Sequence, residues 1–177
     1  MLPCLQVFMR KPCSKQGLVK GINFLNCLYQ TGEIALPIGF DLVKKTEQYL
    51  DPKDGKEKRR SLISKNELAR SQIGYAVKNK VKFRFVLFDV WFSSVENMKF
   101  ILSHRKHFIC PLKSNRKVAL SRPDKLQGRW QKLETLEIQT NDSRLIYLEG
   151  LEQPASVDQT NLHERRRHNC CAVFDFQ

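Results

Sequence analysis

The stretch Phe83-Arg-Phe-Val-Leu-Phe-Asp-Val-Trp-Phe92 constrains this chain more than any other. It is apolar, aromatic and too short for a helix, so it reads as a buried strand. At its carboxyl end stands Asp89. Ser93 or Ser94 then offers an N-cap for a helix through Glu96, Met98, Phe100, Ile101 and Leu102, after which Phe108-Ile-Cys-Pro-Leu-Lys113 makes another short strand. Strand, helix, strand is a βαβ signature, and its crossover implies a partly parallel sheet. The expected fold class is therefore α/β.

Residues 1–19 carry Pro3, Pro12 and Gly17, which break any period, and are left as an irregular segment. The run Gly21 to Gln30 reads as a strand, Thr31-Gly32 as a turn and Glu33 to Val43 as a returning strand. Pro37 in the second strand places it at a sheet edge or a bulge, because proline cannot donate to a ladder. Residues 51–61 are strongly charged, contain Pro52 and Gly55, and read as an exposed loop whose basic end can meet a phosphate backbone or merely be solvated. Ser64 with Glu67 three residues on is a capping box, opening a helix through Leu68, Ile73 and Val77 to about Lys80. Beyond Gly128 the pattern turns alternating and polar, predicting an antiparallel hairpin around Asn141-Asp142 within a β-rich insertion over 128–157. Residues 158–177 show no usable periodicity.

Composition narrows the partners. A chain of 177 residues with 41% hydrophobic residues can bury a real core. Its net charge of +13 favours a polyanion such as nucleic acid or an anionic surface, or else marks a soluble basic protein. No apolar run approaches the roughly 18 residues of a membrane span, and the first ten residues lack the basic start of a signal peptide, so a cytoplasmic location is expected. Cys4, Cys13, Cys27, Cys110, Cys170 and Cys171 form no Cys-x-x-Cys pair and read as reduced thiols.

Asp89 is the best candidate for chemistry, because ligands of open α/β sheets gather at the carboxyl ends of strands. A catalytic or metal-binding role competes with a structural one in which Asp89 caps the helix that follows.

Several blocks carry a resemblance. They are Lys20 to Tyr29, Leu36 to Lys45, Phe83 to Phe92, Glu96-Asn-Met98 and Leu112 to Ser121, in one order and spacing across residues 20–157. Together they resemble bacterial insertion-sequence DDE transposases. The resemblance implies a retroviral-integrase-like, RNase H-type catalytic domain, a mixed sheet with flanking helices and a β-rich insertion. It also implies a metal-dependent reaction in which three acids hold two Mg2+ or Mn2+ ions, one activating water or a 3′-hydroxyl and the other stabilising the leaving oxygen. Asp89 matches the second of those acids through its Asp-x-Trp-Phe context. Implied partners are DNA, as transposon ends and target, and either a second copy or a full-length transposase.

The chain departs from the family at two places. The first acid of the family lies on a strand upstream of Lys20, yet this chain has no acidic residue before Glu33. The third belongs to a Tyr-x-x-Arg-x-x-x-Glu helix, and that pattern is absent; nothing around Glu164 matches it. The domain is thus expected to be incomplete, short of a central catalytic strand and one covering helix, marginally stable or prone to aggregate, and without transposase activity of its own. The competing function is a non-catalytic DNA-binding protein that interferes with a full-length transposase. Residues 158–177, and the first 17, are expected to be out-of-frame sequence or an ordinary divergent tail.

The remaining candidates are secondary. Lys113, Asn115 and Arg116 follow a strand near the expected site and are candidates for DNA backbone contact, or form a solvated basic turn. Trp91 and Phe92 suit stacking on a flipped base, although aromatic residues beside a buried strand are more often core. His163 and His168 with Cys170 and Cys171 fit no standard zinc spacing.

Overall fold

Strand signals and the capping box both take shape in the computed structural model, which describes residues 2–10, 23–138, 142–159 and 170–173. The chain divides into two compact units, Pro3–Lys82 and Phe83–Gln177. Together their elements make a mixed α/β protein, with strands outnumbering helices among the described residues.

The first unit is built on three antiparallel strands. β1 (Cys4–Arg10) pairs with β2 (Phe24–Thr31) from Cys4 opposite Gln30 to Arg10 opposite Phe24. A strand therefore forms in the segment that proline and glycine had left irregular, and that reading is corrected. Leu5 and Val7 on β1, with Leu25 and Cys27 on β2, alternate inward and are fully buried, which is what anchors this ladder. β3 (Ile34–Leu42) returns along β2 after a turn at Gly32, whose φ of +57° glycine adopts without a Cβ clash. The partners step from Cys27 opposite Gly39 to Leu28 opposite Pro37, leaving Ile38 as a bulge on this outer strand. Pro37 thus sits where its missing N–H is tolerated, as expected.

β4 (Glu47–Leu50) and β5 (Glu57–Arg60) form a separate two-stranded ribbon. The segment read as a loop therefore holds a strand, exposed on all four residues. Charge had masked it, because a solvated ribbon needs backbone pairing but no apolar face. Lys58 bridges Asp51 and Asp54 across the connecting turn, the latter at 3.0 Å, and the Arg60 guanidinium lies 5.3 Å from the Tyr49 ring centre. Helix α1 (Lys65–Lys78) opens with the expected capping box: Ser64 Oγ accepts from the Glu67 amide at 3.2 Å, and Glu67 Oε2 accepts from the Ser64 amide at 2.7 Å. Ala69, Gln72, Ile73 and Ala76 make its buried stripe against β2 and β3.

In the second unit, β6 (Phe85–Phe88), α2 (Val95–Ser103) and β7 (His107–Leu112) make the expected βαβ unit, with β6 and β7 parallel from Phe85 opposite His107 to Leu87 opposite Ile109. Phe88 and Phe108 stack from adjacent strands with ring centres 6.0 Å apart, and Met98 and Ile101 of α2 are fully buried. Burial of each such side chain contributes about 1.5–3 kcal/mol. β8 (Lys117–Ala119), the short α3 (Arg122–Leu126), β9 (Gln131–Lys132), β10 (Ser143–Leu148), β11 (Pro154–Gln159) and β12 (Cys170–Val173) complete the unit. The strand order is β6-β7-β12-β11-β10-β8-β9.

Two readings of this region are corrected. Among the described residues the predicted pairing across Asn141-Asp142 is replaced: β9 pairs with β8, and β10 lies between β8 and β11. Leu133–Thr135 coil into a 3-10 turn that buries Leu133, so the apparent alternation before residue 139 is not one strand. The stretch without periodicity also supplies β12, which is inserted antiparallel between β7 and β11. Backbone pairing sets its place, which no side-chain period announces.

Candidate functional site

The carboxyl end of β6 is set by competition for backbone donors. The predicted strand was to run to Phe92, but it stops at Phe88, because Asp89 Oδ1 accepts the Trp91 amide proton at 2.8 Å and turns Val90–Phe92 into a single 3-10 turn. Asp89 is half-buried and acts as the N-cap of that turn. It caps this turn and not the following helix α2, whose N-cap is Ser94.

The turn is then locked from several sides. Ser93 Oγ donates to the Val90 carbonyl at 2.8 Å, and the Asn97 side-chain amide donates to the Phe92 carbonyl at 2.8 Å. Ser94 caps α2 through the Asn97 amide at 3.2 Å. Phe92 points inward at 1% exposure, whereas Trp91 is 69% exposed. The expectation that both aromatics are core holds for Phe92 and is corrected for Trp91. A 3-10 turn, unlike a strand, sends neighbouring side chains about 120° apart instead of alternating them across a sheet.

Because β6 and β7 run parallel, the turn after β7 opens at the same end of the sheet as Asp89. Lys113 to Arg116 close that turn, with the Arg116 amide donating to the Lys113 carbonyl at 3.0 Å. Lys113 and Asn115 are exposed, and Arg116 is half-buried. The Arg116 guanidinium donates through Nη2 to the Ser93 carbonyl, tying the basic turn to the loop that follows Asp89. The Leu133 and Glu134 amides bond the carbonyls of Arg116 and Ser114 at 2.8 and 2.9 Å. Sequence reasoning therefore named Asp89, Lys113, Asn115 and Arg116, and the structure brings their two loops together. That reasoning read Ser93 only as a candidate helix cap and Asn97 only within a block of resemblance, and so missed that both, at 2% exposure, hold the carbonyls of the turn after Asp89.

The donor set around Asp89 is a poor match for a divalent cation. One oxygen of the Asp89 carboxylate already accepts an amide proton, and cationic Arg116 reaches the adjoining loop. Magnesium needs several hard oxygen ligands in near-octahedral array. Among the described residues, no group of three or more His, Cys, Asp or Glu side chains is close enough to hold a metal ion. The upstream strand β1 is present but carries no acid. Glu164, His163 and His168 lie outside the described residues, as do Cys13 and the side chains of Cys170 and Cys171.

Cys4, Cys27 and Cys110 are buried and unbridged, and burial pushes the Cys27 thiol up to about 12. Among the described residues, no helix is long and apolar enough to cross a membrane. Comparison with protein-family models, with curated proteins and with solved structures gives no match.

Proposed function

We propose that this chain carries part of a DDE-type transposase catalytic domain of RNase H-like fold, and that it binds DNA through the phosphate backbone without cleaving or joining it. The observation that carries this reading is the meeting of Asp89 with the basic turn Lys113 to Arg116 at one end of the parallel strands, linked by the Arg116–Ser93 bond. Two further observations support it. The blocks that resemble insertion-sequence transposases keep one order along the chain. The element order, three antiparallel strands and a helix followed by a βαβ unit, is also compatible with that fold.

Phosphodiester transfer by two metals needs carboxylates that place both ions about the scissile phosphate. With Asp89 alone among the family's acids, the basic turn can still attract and seat a backbone. Lys113 supplies a point charge, Asn115 an amide, and Arg116 the guanidinium donors that Ser93 leaves over. In intact relatives the same end of the sheet would cut at transposon ends and pass the 3′-hydroxyl to target DNA.

The test is binding of the purified chain to labelled duplex DNA over a salt series, alongside a nicking assay in Mg2+ and Mn2+. Binding should weaken steeply with salt, no nicking should occur, and Lys113→Ala should reduce the slope of log K against log salt by about one. Salt-insensitive or absent binding sinks the DNA reading. Metal-dependent turnover abolished by Asp89→Ala sinks the non-catalytic one. Translation of the flanking genomic DNA in all three frames tests the family reading, which expects an Asp-bearing strand upstream and a Tyr-x-x-Arg-x-x-x-Glu helix downstream.

A further inference from the structure

We infer that Trp91 is a stacking platform for an unpaired nucleobase, so that this end of the sheet binds splayed or single-stranded DNA better than closed duplex. The inference rests on the DNA-binding reading above and adds to it the kind of DNA that is preferred.

Trp91 is 69% exposed on a segment that is otherwise fixed. Its own amide is held by Asp89. The carbonyls of Val90, Phe92 and Ser93 are held by Ser93, Asn97 and Arg116 respectively. Phe92, next along the chain, is anchored in the core at 1% exposure. A large apolar ring offered to solvent from a rigid turn loses hydration cheaply when a second flat ring covers it. Tryptophan has only two side-chain torsions to restrict, so little entropy opposes the contact.

The surroundings select the occupant. The guanidinium that clamps Ser93 belongs to the exposed basic turn with Lys113 and Asn115, and the whole chain carries a net charge of +13. An aromatic platform two residues from an arginine-held carbonyl, on a loop tied to the basic turn at the same strand ends, combines what single-strand binding needs, namely a ring for the base and positive charge for its backbone. In a closed duplex the faces of the bases are covered by their neighbours, so only an unpaired base can use the ring.

The experiment uses the full chain in a Trp130→Phe background, which leaves Trp91 as the sole indole of the two in the sequence. Three probes of one base composition are compared: a single strand of about 16 nucleotides, a blunt duplex, and a duplex with a splayed end. Trp91 fluorescence should be quenched by the single strand and the splayed end but little by the blunt duplex. Trp91→Ala should weaken the first two about tenfold, the size expected of one stacked base, and leave duplex affinity within about twofold. Trp91→Phe should recover most of the loss, which guards against a variant that merely folds poorly. Equal effects on all probes, or none, while salt-sensitive binding persists, would overturn the inference and spare the DNA reading. Loss of salt-sensitive binding to every probe in the parent protein would remove both.

Discussion

Asp89 separates a structural from a chemical role in a way that two substitutions can read. Its Oδ1 accepts the Trp91 amide proton at 2.8 Å as the cap of Val90–Phe92. An amide oxygen caps about as well as a carboxylate, whereas alanine leaves the donor unpaired at a cost of about 1 kcal/mol. Asp89→Asn should therefore unfold in urea within a few tenths of a kcal/mol of wild type. Asp89→Ala should lose about 1 kcal/mol, and more if Phe92, fully buried and next along from the amide that Asp89 holds, is loosened with the turn. Added Mg2+ should shift neither the wild-type midpoint nor the variants' midpoints, because a ligand stabilises only in proportion to its binding to the folded state. A purely capping role is refuted if Asp89→Asn falls as far as Asp89→Ala. It is refuted equally if millimolar Mg2+ stabilises wild type and not Asp89→Asn, since a carboxylate-specific gain would mean that Asp89 holds the ion.

Three further outcomes are expected. The Ser64 amide and hydroxyl hold the Glu67 carboxyl below its ordinary value, so the capping box is complete above glutamate's usual pKa of about 4.3 and is lost as pH falls through the lower folded value. Helicity should drop in that acid window, and Glu67→Gln, which keeps the acceptor without the charge, should flatten the dependence. The outer strand β3 exposes Ile34, Leu36, Phe40 and Leu42, an edge that invites association despite its bulge. Phe40→Lys should lower light scattering on concentration with an unfolding midpoint near that of wild type, and unchanged scattering would show that aggregation starts elsewhere. Cys4, Cys27 and Cys110 are buried, and burial raises the thiols of Cys4 and Cys27. Mass spectrometry after brief alkylation of the native chain at pH 8 should find these three unmodified and the denatured chain labelled at them. Fast native labelling at Cys27 would indicate local opening of β2.

Features that depend on local chemistry were legible in the residues alone. Ser64 and Glu67 announced a helix start, because a capping box is satisfied within four residues. Gly32 and Pro37 announced a turn and a bulged outer strand, because each residue has its own restricted set of uses in a backbone. The apolar run from Phe83 and the helix and strand behind it announced a parallel pair, and hence the end of the sheet at which Asp89 and Lys113 to Arg116 both lie. Features that depend on distant partners emerged only with the folded chain. β1 and β12 have no distinctive pattern of their own and exist because β2, β7 and β11 offer unpaired ladders. β8, not a local hairpin, claimed both β9 and β10. Trp91 and Phe92 are adjacent aromatics of equal standing in the sequence, and the turn imposed by Asp89 sent one into the core and left the other in water. A side chain's face is set by the backbone beneath it, and here that backbone is held by Asn97 from the next helix and by Arg116 from the turn after β7, contacts that no periodic pattern reveals.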